Sequence, residues 1–456
     1  MGLIFAINIV DGSALTVLAV LSLAALGYLV SYRVAVRRSD DGLPPHRLQL
    51  RRWLVRVGAG AVGGAIAGVI VIYVSEVLLN AFGTPLEADT HAWVIATFAA
   101  IGIAAANFWK RRWWRRVVAS VSVVLFVATA TVAINGSYGL NLTLGSLFNV
   151  SVSHPIALPK TTPVPTVSAT SKPVPIVAPK PLWQTWAAPP DLAAAGSYGT
   201  VSIPNTVSGF VARPAYLYLP PAALVANPPA LPVLIMMMGQ PGGPESSALF
   251  VKFLNSEAAA HHGLGPIVLT VDQIGSPTQN PLCIDSPRGR SYSYVMSDVV
   301  NYVRSTLHVA PGPKNWAVGG YSNGGECALA FGAKHPEIFG SILDISGEIG
   351  PSLGSPALTV KLGFGGDQAF YDREQPLFIL SQHRYIDTVA IFTSGSKDTY
   401  YGQEVTTAEA AAKAAGMTTY RFIGQGVGHR SDAVVYGVPA GLPTLYPRWE
   451  LVPPIG

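Results

Sequence analysis

Three residues in the C-terminal half of this 456-residue chain have the types and order needed for nucleophilic catalysis. Gly320-Tyr321-Ser322-Asn323-Gly324 spells G-x-S-x-G. In that pattern a serine sits on a sharp turn between a strand and a helix, with its hydroxyl exposed. A serine hydroxyl attacks carbonyl carbon only if a base takes its proton, and the base needs a third group to fix its tautomer. Downstream, Ile391-Phe-Thr-Ser-Gly-Ser-Lys-Asp398 carries an apolar run into a loop that ends on an aspartate. Phe422-Ile-Gly-Gln-Gly-Val-Gly-His429 carries another through glycines to a histidine. The order serine, acid, histidine is that of α/β-hydrolases. Asp398 is favoured as the acid. Asp344 and Glu348, at or just after the strand that follows the elbow, remain alternatives. Against His429, the histidines His261, His262, His335 and His383 sit near helix ends, where a cationic or surface role is the simpler reading.

The developing oxyanion needs two N–H donors. Asn323, directly after the nucleophile, supplies one. The loop Gly239-Gln-Pro-Gly-Gly supplies the other from Gln240, because Pro241 has no N–H. No metal or cofactor is required by this chemistry.

The elements that must hold these residues alternate between strands and helices after residue 196. Strands are expected at 216–219, 231–238, 267–272, 341–346, 388–393 and 420–423, besides the strand entering the elbow. Helices are expected at 247–261, 292–307 and 408–415, besides the one leaving it. Such alternation predicts an α/β fold with a mostly parallel sheet covered on both faces, and chemistry in the loops after its strands.

The first third of the chain is different. Four uncharged apolar stretches, at 13–32, 57–75, 92–109 and 117–134, each have about the 20 residues that cross a bilayer as a helix. Residues 1–150 hold 12 Lys and Arg against 6 Asp and Glu, and the remainder holds 18 against 19. The basic excess therefore belongs to the apolar part, which is a membrane signature and argues against nucleic-acid binding. Seven arginines from Arg33 to Arg56 separate the first two stretches, and Lys110 to Arg116 separate the last two. The intervening loop has Glu87 and Asp89 with no basic residue. By the positive-inside rule the basic loops are cytoplasmic, so both termini and the C-terminal domain lie outside, at the plasma membrane. Trp53, Trp93, Trp109, Trp113 and Trp114 are expected in interfacial belts, and Glu76 is expected to snorkel to the interface. Gly60, Gly64 and Gly68 let a neighbouring helix approach. The organisation read from sequence is a four-helix transmembrane domain over 1–136, a proline-rich extracytoplasmic linker over 137–195, and an α/β-hydrolase domain over 196–456.

The C-terminal part resembles the esterase family that includes the mycobacterial and corynebacterial mycolyltransferases and the D-type esterases. The matching pieces are Gly239-Gln-Pro-Gly-Gly, Cys283-Ile-Asp-Ser-Pro-Arg-Gly, Gly319-Gly-Tyr-Ser-Asn-Gly-Gly-Glu-Cys, His335-Pro-Glu, Phe364-Gly-Gly-Asp and Gly428-His. The membrane bundle and linker resemble those of membrane-anchored actinobacterial members. The resemblance implies acyl-ester chemistry with Ser322, Asp398 and His429 as the triad, and pairing of Cys283 with Cys327. Two thiols alone make no zinc site, and a disulfide suits a domain outside the cytoplasm.

The expected activity is an extracytoplasmic serine esterase acting on an envelope lipid ester, an aminoacyl-phospholipid or a mycolate ester. An acyltransferase onto a sugar or protein hydroxyl is the alternative within enzymes. A non-catalytic binding or scaffold protein is the alternative outside them.

Overall fold

A computed structural model describes residues 2–10, 12–31, 46–79, 86–108, 113–148, 150, 154–158, 180–277 and 279–454. The chain divides into two units, Met1–Val150 and Ser151–Gly456.

In the first unit, α1 (Ser13–Val30), α2 (His46–Tyr73), α3 (Ala88–Ala105) and α4 (Trp113–Tyr138) are the main helices. All four are long and apolar enough to cross a membrane. Glycines set the α2–α3 contact. A Cβ on Gly64 would stand 2.1 Å from the Phe98 carbonyl oxygen, and one on Gly102 would stand 1.9 Å from that of Gly60. Backbones that close need residues without side chains.

Three polar or aromatic side chains make contacts that the sequence did not reveal. Trp53 is packed inside the unit: it is 2% exposed, and its indole N–H donates to the Val30 carbonyl at 3.0 Å. Arg115 lies within α4 and not in a loop. It is 1% exposed, donating to Asn107 Oδ1 (2.6 and 2.9 Å) and the Leu29 carbonyl (2.7 Å), with its guanidinium carbon 5.2 Å from the Trp53 ring centroid. The end of a helix leaves carbonyls without partners, and these two donors meet them at the end of α1. Glu76, on a π-helical turn Val74–Leu78 that continues α2, is paired. Its Oε1 lies 2.6 Å from His91 Nε2 and accepts from the Leu86 N–H at 3.1 Å.

The second unit is built on one eight-stranded sheet. Its strands are β1 (Ser197–Val201), β2 (Ala215–Leu219), β3 (Val233–Met237), β4 (Ile267–Val271), β5 (Trp316–Tyr321), β6 (Ser341–Ile345), β7 (Val389–Gly395) and β8 (Thr418–Gly424). The spatial order is β1-β2-β4-β3-β5-β6-β7-β8, with β2 antiparallel to both its neighbours, β1 and β4, and every other adjacent pair parallel. β3 is Val-Leu-Ile-Met-Met, every residue buried, as a central strand covered on both faces requires. Met236, Met237 and Met238 belong to this core. Register aligns the strand ends: Met237 pairs with Gly320, Tyr321 with Ile345, Ile345 with Thr393, and Gly395 with Gly424. The loops that leave β3, β5, β7 and β8 therefore open on one edge.

The sheet is longer than predicted by the edge strand β1. The helix expected at 408–415 runs over Thr399–Ala414, because Asp398 caps it by accepting the Tyr401 N–H at 3.2 Å. Its early turns, with Thr399, Val405, Thr406 and Thr407, have weak helix propensity, which hid them. Three short helices between β6 and β7 (Pro356–Gly363, Gln368–Arg373 and Pro376–Gln382) and the helix Ser431–Gly441 were not predicted.

The expected linker over 137–195 is only partly separate from the two units. Residues 159–179, its proline-rich centre, lie outside the described residues. Before them, His154 and Ile156 hydrogen-bond the Thr200 backbone (2.7 and 3.2 Å). After them, Trp183 N–H donates to the Glu450 carbonyl (3.0 Å), and the Trp186 indole donates to that of His262 (2.9 Å). At the other end, Ile9 N–H bonds the Leu142 carbonyl at 2.9 Å within the first unit. An indole ring carries a large apolar area and one donor, so Trp186 finds a surface rather than solvent.

Candidate active site

Ser322 lies between β5 and the helix Asn323–Lys334, with φ 55°. A non-glycine residue at positive φ is uncommon and held only by its surroundings. Here the surroundings are backbone. A Cβ on Gly320 would stand 1.9 Å from the Gly324 carbonyl oxygen, and one on Gly324 would stand 2.3 Å from that of Met237. The two glycines of the motif are thus required by the close passage of the elbow over itself and over the end of β3.

The carboxyl edge brings the three predicted residues together. Ser322 Oγ and His429 Nε2 are 2.9 Å apart, and His429 Nδ1 and Asp398 Oδ2 are 2.9 Å apart. A carboxylate only accepts, so Nδ1 carries the hydrogen and Nε2 is left to accept from the serine hydroxyl. Asp398, 4% exposed, has its other oxygen on the Tyr401 N–H. The imidazole is held on its faces as well. The Tyr401 ring stacks on it at 3.8 Å with 22° between planes, and Tyr321 stands 5.1 Å away. Sequence reasoning missed Tyr401; the signal was its place three residues into the helix that Asp398 caps.

The two alternative acids stand elsewhere. Asp344, 1% exposed, accepts the Gly347 N–H at 2.8 Å, and the Glu348 N–H donates to the Ser322 carbonyl at 3.3 Å. Burial pushes the Asp344 carboxyl up to about 7, against the opposing Gly347 hydrogen bond. Burial, and then Glu404, push Glu348 up to about 8. Glu326, one turn into the nucleophile helix, is pushed well above the usual carboxylate range by burial and then by Glu348. These acids beneath the elbow are held toward their neutral forms, which limits the negative charge near a site where more must develop.

This has a measurable consequence for stability. A carboxyl raised in the folded state binds its proton there while the unfolded chain has released it, so stability falls as pH rises from about 4 toward 7. Asp344→Asn keeps the oxygen that accepts from Gly347 and removes the titration. It is expected to leave stability at pH 4 near wild type and to raise it at pH 8 by roughly 2–4 kcal/mol. Thermal unfolding across that range checks both the sign and the window.

Cys283 and Cys327, 44 residues apart, form a disulfide. It ties the loop around Leu282 and Cys283, both at positive φ, to the nucleophile helix. That loop leads into a small apolar cluster of Leu282, Ile284 and Phe364, packed with Leu353, Phe370 and Tyr371. Phe364, Phe370 and Tyr371, on the segment between β6 and β7, are thus part of a packed cluster. Cys283, Glu326 and Cys327 also converge their donor atoms within 4.8 Å, but two of these donors are the bonded sulfurs.

The proposed oxyanion donors lie at the same edge. Gly239, which precedes Gln240, runs so close to the elbow that a Cβ there would be 3.1 Å from Ser322 Cβ. Asn323 begins the helix after the serine and is 1% exposed.

The chain is similar to several solved structures. These include a ferulic acid esterase (15% identity, covering 57% of this chain and 99% of that one, TM-score 0.48) and an S-formylglutathione hydrolase from Agrobacterium tumefaciens (18%, 56% and 97%, TM-score 0.46). A fluorophosphonate-binding serine hydrolase from Staphylococcus aureus is similar at 13% identity, 57% and 99% coverage and TM-score 0.43. An uncharacterised Corynebacterium glutamicum protein is 30% identical over 428 residues, spanning 91% of each chain. Residues 214–438 match the model of the family described as putative esterase. The chain belongs to that esterase family, and its second unit is a carboxylic ester hydrolase of the α/β-hydrolase fold.

Proposed function

We propose that this chain is a membrane-anchored serine esterase whose catalytic domain works outside the plasma membrane on an envelope lipid ester, an aminoacyl-phospholipid or a mycolate ester. The observation that carries the chemistry is the hydrogen-bonded series Asp398, His429, Ser322.

His429 Nε2 takes the Ser322 proton as Oγ attacks the ester carbonyl carbon. The Gln240 and Asn323 N–H groups hold the oxygen that becomes negative. Asp398 keeps the imidazole in the Nδ1–H tautomer and stabilises the imidazolium. Collapse of the tetrahedral intermediate breaks the ester C–O bond, and His429 returns the proton to the leaving alcohol oxygen. Water, deprotonated by the same imidazole, then releases the acid from Ser322.

The location is supported by the four apolar helices and by Arg47, Arg51, Arg52 and Arg56, which begin α2. Arginine at that end favours the cytoplasmic side, and an even number of crossings returns the chain to the side on which it began. A catalytic domain tethered to a bilayer meets lipid esters at high local concentration.

The test is lipid profiling of a host lacking the gene, complemented with wild type or with Ser322→Ala. Accumulation of one ester lipid, cleared by wild type and not by the variant, is the expected result. Unchanged lipids in all strains would remove the lipid assignment. Transfer of the acyl group to an added alcohol would convert the assignment to acyl transfer. A cysteine introduced after residue 200 should react with an impermeant maleimide on intact cells; protection there would place the domain inside and remove the location.

A further inference from the structure

One side chain outside the triad touches both halves of the proposed oxyanion hole. Gln273 follows β4 at the carboxyl edge of the sheet and is 2% exposed. Its Nε2 donates to the Met238 carbonyl oxygen at 2.5 Å and to Asn323 Oδ1 at 3.0 Å. A carboxamide nitrogen carries two hydrogens, so both bonds form at once. Met238 opens the loop whose next residues are Gly239 and Gln240. Asn323 is the residue whose own N–H is the second donor.

The orientation of these amides is determined by the contacts themselves. Turning Gln273 over would set its oxygen against the Met238 carbonyl, acceptor to acceptor. Turning Asn323 over would set two NH2 groups face to face. With both fixed, Asn323 Nδ2 is a buried donor with no hydrogen-bond partner among the described residues. Leaving such a donor unpaired costs about 1–3 kcal/mol.

The residue before Gln273 braces the other end of the same loop. Asp272 Oδ2 accepts from Arg213 N and Nε (2.7 and 3.0 Å), and Oδ1 accepts from Arg213 Nη2 (2.8 Å). Arg213 Nη2 also donates to the Gly242 carbonyl at 2.9 Å. Two consecutive residues at the end of β4 thus hold residues 238–242 at both ends.

We infer that Gln273 is a positioning residue for the oxyanion hole, setting the separation of the Gln240 and Asn323 N–H groups by bonding to both of their supports. The inference rests on the acyl-enzyme reading of Ser322. Oxyanion donors must lie about 2.7–3.1 Å from where the charge develops. A misplacement of about 1 Å costs on the order of 100-fold in rate. Because that charge exists only in the transition state, the loss falls on kcat and leaves KM.

The test uses the full chain in detergent, with Gln273→Leu and Gln273→Glu. Active sites are counted with a fluorophosphonate, and kcat and KM are measured on a short p-nitrophenyl ester. Inhibition by a trifluoromethyl ketone, whose serine adduct places an oxyanion in the hole, is measured alongside. Both variants are expected to lose about 30- to 100-fold in kcat per active site. The inhibitor should weaken by a similar factor while KM stays within about threefold. Gln273→Glu preserves volume and sets a carboxylate against two acceptor oxygens, so it decides the matter if the leucine variant does not fold.

A merely structural role would lower the melting temperature and the titratable fraction, yet leave kcat and inhibitor affinity per active site within about threefold of wild type. That result would overturn the inference. Wild-type activity that survives Ser322→Ala would instead overturn the acyl-enzyme reading, so the two failures are told apart.

Discussion

Ser322→Ala is expected to lower kcat on a short p-nitrophenyl ester by about 10⁴- to 10⁶-fold, with the remainder supplied by the oxyanion hole and binding. The size follows from the geometry. Ser322 Oγ is the atom that His429 Nε2 holds at 2.9 Å, at a turn held by backbone contacts at Gly320 and Gly324. Loss of the hydroxyl removes the acyl-enzyme route and leaves the pocket intact. His429→Ala should cost nearly as much, and the double variant little more than either alone, because residues acting as one unit are not additive. KM changes of more than about tenfold would instead mean that the serine mainly binds substrate.

The second large effect separates the acids that sequence alone left open. Asp398→Asn is expected to lower kcat by about 10⁴-fold, since an asparagine that presents its NH2 to Nδ1 favours the wrong tautomer. Asp344→Asn, altering a carboxyl that already accepts from Gly347 N–H and is held up near 7, should stay within about tenfold of wild type. Asp398 also caps Thr399–Ala414, and asparagine is an equally good cap, so the substitution tests the tautomer with little change in stability. Steady-state kinetics of the two variants, normalised to folded protein, give the comparison. Equal losses would return Asp344 to consideration.

The chemistry was legible because it follows strands. A serine between glycines after an apolar run, and a late aspartate and histidine after two more, are constrained by the sheet that must carry them. Parallel register then brings their loops to one edge. Gln273 was not legible, although it too follows a strand: a glutamine there joins no recognised pattern, and its importance lies in two contacts to residues 35 and 50 positions away. Tyr401 was hidden by a helix whose opening turns have weak helix propensity.

In the first unit, length and composition sufficed to find the four helices, and side-chain placement did not follow from them. Trp53 reads as interfacial by type, and Arg115 as part of a basic loop. They are buried because the end of α1 presents carbonyls that need donors. Similarly, Trp186 lies in a stretch read as a linker, and its packing depends on a surface formed far away in sequence.

The most direct measurement is intact-mass analysis of the full chain after reaction with a fluorophosphonate probe, followed by peptide mapping. The expected result is addition of one probe per chain, located on Ser322, abolished by Ser322→Ala and strongly slowed by His429→Ala. An unlabelled wild type, or labelling that persists in Ser322→Ala, would contradict the assignment of Ser322 as the nucleophile.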